Sequence, residues 1–216
     1  EDLYHGADGE WGVSNSLFTN NPLHSVFLEA GQQAGHKYND DMNGKDQEGV
    51  APYQHSIANG RRASTSHAFI DPIKDRKNLT IYTKSITNRL LFDGNKCIGV
   101  EFIRNKKKEQ VFAEREVIVS GGAINSPQIL QLSGIGKADY LKKWDIDVVC
   151  DLPGVGENLQ DHLDILLHHE CTQPVTEAKY TSGALSTLKM AGILGQWAFT
   201  KKGPGVDIGL SAGAFL

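Results

Sequence analysis

The sequence has few cysteines, and their spacing suits neither a metal site nor a disulfide framework. Cys97, Cys150 and Cys171 are odd in number and lie far apart among 216 residues. Cysteine metal sites need closely spaced pairs, and small secreted domains need an even set of cysteines for disulfides. We therefore expect three reduced thiols, a pattern that favours an intracellular, cytoplasmic protein.

Excess positive charge and long apolar runs are also absent. The 22 Lys and Arg residues are outnumbered by 26 Asp and Glu residues, which gives a net charge of -4. Nucleic-acid-binding surfaces need a basic excess, and the one basic cluster, at residues 104–108, is better explained as a solvated hairpin turn. The apolar stretch at 190–199 is too short to span a bilayer. The sequence thus predicts neither a nucleic-acid partner nor a transmembrane segment.

Familiar catalytic and metal-binding motifs are missing as well. Asp161-His162 resembles part of a catalytic pair, but no G-x-S-x-G motif supplies a nucleophile. His168 and His169 are adjacent, so on a strand they would point to opposite faces and could not share one metal. We therefore predict no metal site and assign no catalytic residue within this chain.

The most informative stretch of the sequence runs from Glu116 to Gly136. Its β-branched run, 117–119, predicts a strand buried on both faces. Gly121-Gly122 follows, and paired glycines let a ligand or another backbone approach closely. Ser126-Pro127 predicts that a helix starts there, because Ser caps orphan N–H groups and Pro has none to lose. Such a unit can present N–H groups to a phosphate, although in isolation a packing turn is the commoner explanation.

The rest of the chain mixes helical and strand-like patterns, which predicts an α/β fold. Antiparallel strands are indicated between residues 79 and 112, with a hairpin turn at Asp93-Gly94. Further helices are predicted at 22–34, 65–70, 138–144 and 182–200, and further strands at 146–149, 163–170 and 208–215.

Three strings in this chain resemble the glucose-methanol-choline (GMC) flavin oxidoreductases. They are Gly60-Arg61-Arg62-Ala63-Ser64-Thr65, the 116–136 stretch, and Gly154-Val155-Gly156-Glu157-Asn158-Leu159-Gln160-Asp161-His162. The resemblance runs from about residue 4 to residue 215. It implies the central part of a Rossmann-like FAD-binding domain at 1–162, with an inserted antiparallel β-meander, and the start of an α+β substrate-binding domain at 163–216.

The same resemblance implies the cofactor, the reaction and the site residues. FAD would be approached by the backbone of Gly121, Gly122 and Ala123, and its adenine would contact Thr87 through the backbone. The implied reaction oxidises the CH–OH group of a small alcohol, with a histidine base removing the hydroxyl proton and hydride passing to flavin N5. Which alcohol is used, what accepts the electrons and the oligomeric state are left open.

Some family features are not found in this sequence. It contains neither the G-x-G-x-x-G of the family's N-terminal region nor the C-terminal catalytic histidine, so we expect an internal fragment that is inactive and binds FAD weakly in isolation. Ser211 stands where many relatives have Glu, which argues against choline if that Glu holds a cationic substrate. A hydroxynitrile lyase-type member, a non-catalytic module and, more remotely, an NAD-type dehydrogenase are the alternatives.

Overall fold

The computed structural model describes residues 3–15, 21–176, 178–206 and 209–216. The chain divides into two compact units, one formed by Glu1–Leu79 with Leu167–Leu216 and the other by Thr80–Leu166. Both contain helices and strands, in agreement with the α/β class. Among the described residues, no helix is both long enough and apolar enough to cross a membrane.

The discontinuous unit contains three helices and six short strands among the described residues. The helices are α1 (Pro22–Gln33), α4 (Ala178–Thr181) and α5 (Ser186–Thr200), joined by a π-helical turn at Ser66–Ile70 and a 3-10 turn at Pro204–Val206. The strands are β1 (Ser14–Asn15), β2 (Gly49–Pro52), β3 (Gln54–His55), β4 (Ile57–Ala58), β5 (Arg61–Arg62) and β11 (Ala212–Phe215).

The core of this unit lies where α1 packs on the antiparallel pair formed by β2 and β11. Val50 and Ala51 of β2 are 1% and 0% exposed. Helix α1 begins where predicted, because the Asn21 side chain accepts the Leu23 N–H (3.0 Å) and Pro22 occupies the first turn. Residue 31 must be small, since a Cβ there would collide with Val50.

The continuous unit is built around a three-stranded antiparallel sheet in the order β6-β7-β8. Its elements are β6 (Ser85–Asp93), β7 (Lys96–Arg104), β8 (Lys107–Phe112), α2 (Gly122–Leu132), β9 (Ile135–Gly136), α3 (Ala138–Lys142) and β10 (Cys150–Asp151). Both hairpin turns lie where expected: Gly94 has φ +57°, and Asn105 and Lys106 have φ +51° and +63°. Positive φ at such turns matches the right-handed twist of the strands.

A buried hydroxyl joins α2 to this sheet. Ser133, 7% exposed, follows the last residue of α2 and accepts the backbone N–H of Leu90 (2.8 Å) in β6. The same hydroxyl donates to the carbonyl oxygen of Ile129, one helical turn earlier. The helix end is therefore fixed against the middle of β6.

Two of the predicted strands are wrong. Residues 117–119 and 163–170 adopt no regular structure, and Ile118 and Leu163 are 76% and 97% exposed. A strand exists only when a neighbouring strand satisfies its N–H and C=O groups, and no strand of the described residues runs beside either segment. The apolar pattern identified segments suited to a sheet but not a partner strand.

Candidate functional site

The glycine turn at the head of α2 is open on its outer side. Gly121 is the N-cap of α2, and Gly122 begins the helix with φ +84°. A Cβ added at Gly122 would meet nothing within 4 Å. The turn therefore needs glycine for its backbone conformation and leaves space beside the first N–H groups of the helix, where partial positive charge accumulates.

Helix α2 starts four residues earlier than Ser126-Pro127 predicted. Ser126 does assist the start, but from inside the helix, because its hydroxyl accepts the Gly121 N–H (2.9 Å). Pro127 lies within the helix and has no N–H to donate to the carbonyl oxygen of Ala123. Ala123 therefore keeps a carbonyl group that its own helix does not bind by the usual i to i+4 hydrogen bond.

Two of the four predicted cofactor-binding residues line one small cavity. Thr87 and Gly121 border a space of about 230 Å³, together with the 117–120 segment, Leu90, Val100 and Ile129. Thr87 is half-buried in β6 and lies at a register shift, where Thr87 pairs with Phe102 but Arg89 pairs with Glu101. The shift places one extra residue, Asn88, in β6 next to the cavity.

Ala123 borders a different and larger groove of about 1060 Å³. This groove lies between α2, the region around α3 and the loop 155–160. The Gln131 side chain donates to the carbonyl oxygen of Val155 (3.0 Å) and so holds the loop to the helix. Gly156 has φ +84°, and a Cβ there would lie 2.6 Å from the Gln131 amide nitrogen, so the loop can approach only as glycine.

The Asp161-His162 pair, which sequence reasoning set aside as a catalytic pair, makes a local backbone contact. The Asp161 carboxylate accepts the backbone N–H of His162 (2.8 Å). This contact turns the chain at residue 161 and gives the carboxylate a structural partner.

A buried acid beside the small cavity was not foreseen from the sequence. Glu101 in β7 is 5% exposed. Its carboxylate accepts from the Asn88 amide and from the Gln110 amide (3.5 Å), with Arg89 Nε at 3.5 Å. The Asn88 hydrogen bond, followed by the Arg89 charge and the Gln110 hydrogen bond, outweighs burial and lowers the pKa of Glu101. An acid flanked by Val100 and Phe102 in a strand was the signal that could have revealed it.

Glu101 holds the irregular part of β6 in place. Asn88 is the extra residue of the register shift, and its side chain donates to Glu101 rather than to solvent. Because Thr87 directly precedes Asn88, this contact helps to fix the backbone that borders the small cavity.

The family of the chain follows from comparison with known proteins. A sequence model of the GMC oxidoreductases matches residues 1–164. The chain belongs to the GMC oxidoreductase family. This confirms the resemblance inferred from the three strings, and the match covers all of them.

Named relatives of this GMC chain include choline dehydrogenases. It is 46% identical over 213 residues to the mitochondrial choline dehydrogenase of Homo sapiens, covering 99% of this chain and 35% of that protein. It is 45% identical over 214 residues to the oxygen-dependent choline dehydrogenase of Stenotrophomonas maltophilia, covering 99% of this chain and 38% of that protein. The chain thus spans little more than a third of the length of these relatives.

Solved structures of GMC-like enzymes share the fold of this chain. An FAD-dependent oxidoreductase from Chaetomium thermophilum superposes with a TM-score of 0.80 at 26% identity, covering 96% of this chain and 36% of that one. A fungal aryl-alcohol oxidase superposes with a TM-score of 0.79 at 27% identity, covering 97% and 36%.

Proposed function

We propose that this chain is the central part of an FAD-dependent oxidoreductase that acts on the CH–OH group of an alcohol. Family membership supports the proposal, as do relatives named choline dehydrogenase and a structural neighbour named aryl-alcohol oxidase. When bound, FAD accepts the hydride removed from the carbinol carbon. This chain would bind and orient the cofactor.

The single observation that carries the FAD assignment is the open glycine turn at the head of α2. A flavin dinucleotide needs main-chain groups that can approach it closely, and Gly122 offers a backbone with no side chain and no neighbour within 4 Å of the missing Cβ. Gly121, Gly122 and Ala123 would hold the cofactor from this side. Thr87, which shares a cavity with Gly121, would contribute a backbone contact to the adenine.

The finer architecture belongs to the same proposal. Residues 1–162 would form part of the FAD-binding domain, with β6, β7 and β8 as an inserted meander, and residues 163–216 would begin the substrate-binding domain. The two compact units divide the chain differently, because residues 1–79 join 167–216. Such joining is consistent with a substrate domain built from separate stretches of the polypeptide.

Choline is the first substrate to test, and Ser211 is the reason to test neutral alcohols beside it. The relatives named above are choline dehydrogenases. Ser211 is buried at 2% exposure immediately before β11, and it provides no negative charge for a quaternary ammonium ion. We therefore expect a neutral alcohol to be oxidised more efficiently than choline.

The decisive experiment uses the protein expressed at the full length of its reading frame. We expect it to be purified with flavin, and we expect anaerobic addition of an alcohol to bleach the flavin absorbance. Choline, an aryl alcohol and a short aliphatic alcohol should be compared at equal concentration. Cleavage of a cyanohydrin without bleaching would indicate a lyase, and a protein without flavin would refute the proposal.

A matched pair of glycine variants tests the turn itself. Gly122→Ala should lower flavin content, because the methyl group would enter the space that the cofactor needs and because φ +84° disfavours alanine by about 1–2 kcal/mol. Gly154→Ala is the control, since a Cβ there also meets nothing within 4 Å but its φ is not positive. Unfolding of both variants without flavin separates backbone strain from loss of binding.

A further inference from the structure

Helix α5 has an apolar face that points away from the unit to which it belongs. Leu188 and Phe199 are 71% and 92% exposed, and a Cβ added at Gly192 would meet nothing within 4 Å. These residues are spaced by four and seven positions, which places them on one side of the helix. Because water meets apolar groups on this side, the helix lacks the polar outer face that a surface helix normally has.

The orientation of this helix is fixed by contacts on its opposite side. The Trp197 indole N–H donates to the carbonyl oxygen of Gly60 (2.7 Å). Residue 205 packs against Ile193 and Trp197, where an added Cβ would lie 3.5 Å and 3.1 Å from their side chains. Rotation that buried Leu188 and Phe199 would break these contacts, so the apolar face is a stable feature of the unit.

Positive charge without any negative charge surrounds this face. Residues 178–206 contain four lysines, at 179, 189, 201 and 202, and no Asp or Glu, in a chain whose net charge is -4. Lys201 Nζ and the Arg61 guanidinium both lie over the Trp197 ring, at 4.2 Å and 5.8 Å. Among the ion pairs of the described residues, none involves Lys189, Lys201, Lys202 or Arg61.

The other strongly exposed apolar segment has the opposite charge environment. Leu163, Ile165, Leu166 and Leu167 are 74–97% exposed, but Asp161, Asp164 and Glu170 interrupt and flank them. Exposure of apolar side chains is therefore common in this chain, whereas the combination of an apolar helix face with unopposed lysines belongs to α5.

We propose that α5 lies on the surface of a lipid bilayer that contains anionic lipids. Leu188 and Phe199 enter the boundary between head groups and acyl chains, and the lysines contact the anionic head groups. The helix has 15 residues, so it lies in the plane of the surface rather than spanning the bilayer. A second copy of the chain is a poorer occupant, because it would bring two sets of lysines together.

The test measures flotation of the full-length protein with lipid vesicles. We expect binding to vesicles of equal parts phosphatidylglycerol and phosphatidylcholine, little binding to phosphatidylcholine alone, and release by salt. The double variant Leu188→Ser/Phe199→Ser should reduce binding at least about tenfold. Lys189→Gln/Lys202→Gln should reduce binding mainly at low salt.

A matched control uses another pair of exposed apolar residues in the same unit. Val26 and Phe27 of α1 are 55% and 46% exposed, and Val26→Ser/Phe27→Ser should leave vesicle binding unchanged. Flavin content, measured in every variant, should also stay unchanged, so a failure of this proposal is distinguishable from a failure of the proposed oxidoreductase function.

Three results would overturn the proposal. One is the absence of vesicle binding, and another is binding that survives both double variants. The third is a dimer in solution that only the Leu188→Ser/Phe199→Ser variant dissociates, which would show that a second copy covers the face. Protection of a cysteine introduced by Phe199→Cys from a water-soluble thiol reagent, without vesicles and in the monomer, would assign the face to the remaining polypeptide and would equally refute membrane binding.

Discussion

Residues 85–112 and residues 116–120 belong to the same unit, and both contain β-branched runs, yet only the first form strands. Strands β6, β7 and β8 are joined by two tight turns, so each strand finds its partner within a few residues along the chain. The 117–119 segment has no such neighbour among the described residues, and Ile118 remains exposed. Apolar alternation thus predicts that a segment can enter a sheet, whereas chain connectivity decides whether the sheet is present.

The largest effect should come from the centre of the paired region. Phe102 in β7 is 6% exposed and packs on Tyr82, with ring centroids 5.5 Å apart. Phe102→Ala should lower the free energy of unfolding by about 3–5 kcal/mol, because it removes a buried ring and leaves a cavity. Urea unfolding followed by circular dichroism measures this loss, and a change below about 1 kcal/mol would show that the sheet is not the core of its unit.

A smaller loss is expected where α2 meets β6. Ser133→Ala would leave the N–H of Leu90 buried without its acceptor, which should cost about 1–3 kcal/mol. Ser120→Ala, at an exposed position in the unpaired region, is the control and should change the free energy of unfolding by less than about 0.5 kcal/mol. Equal effects of the two substitutions in urea unfolding would contradict the assigned role of Ser133.

Glu101→Gln should alter the dependence of stability on pH. The pKa of Glu101 is lowered in the folded protein from its ordinary value of 4.5. Its ionised form therefore stabilises the fold above the unfolded-state pKa, and this contribution is lost as pH falls through the folded-state pKa. Between neutral and acidic pH the Tm of Glu101→Gln should consequently fall less than that of the unaltered chain.

The control for this pH effect is Glu116→Gln, which replaces an exposed acid outside the sheet. Its Tm should follow the unaltered chain at every pH. Parallel curves for all three proteins would show that Glu101 is not responsible for acid destabilisation.

The smallest effect is expected in the unpaired region. Ile118→Ala should change the free energy of unfolding of this chain by less than about 0.5 kcal/mol, since the side chain is 76% exposed. Backbone N–H groups at 117–119 should also exchange rapidly with deuterium. Slow exchange in the 216-residue chain would show that these N–H groups do have partners.

Local signals in the sequence were sufficient for part of the fold. The start of α1 followed from Asn21 and Pro22, and the hairpin turns followed from short-range patterns, because the groups that form these features are neighbours in sequence. The start of α2 was placed wrongly because Ser126 acts as an acceptor for Gly121 from inside the helix. A Ser-Pro pair does not indicate on which side of it the first turn lies.

The candidate site was predictable mainly through the family resemblance. Thr87 and the 121–123 turn were named from it, and their role in cofactor binding stays a prediction. The structure shows that Thr87 and Gly121 share a cavity. Glu101 was missed because a buried acid is tolerated only where Asn88 and Gln110 meet it, and that meeting is a property of the folded sheet.

The pairing of β2 with β11 has a consequence for how the protein is made. Gly49 lies beside Phe215, so β2 leaves the ribosome long before its partner is synthesised. Residues 80–166 can close on themselves in the meantime, while the edge of β2 waits uncovered and open to wrong partners. Chaperone dependence during translation should therefore centre on the discontinuous unit, which is completed last.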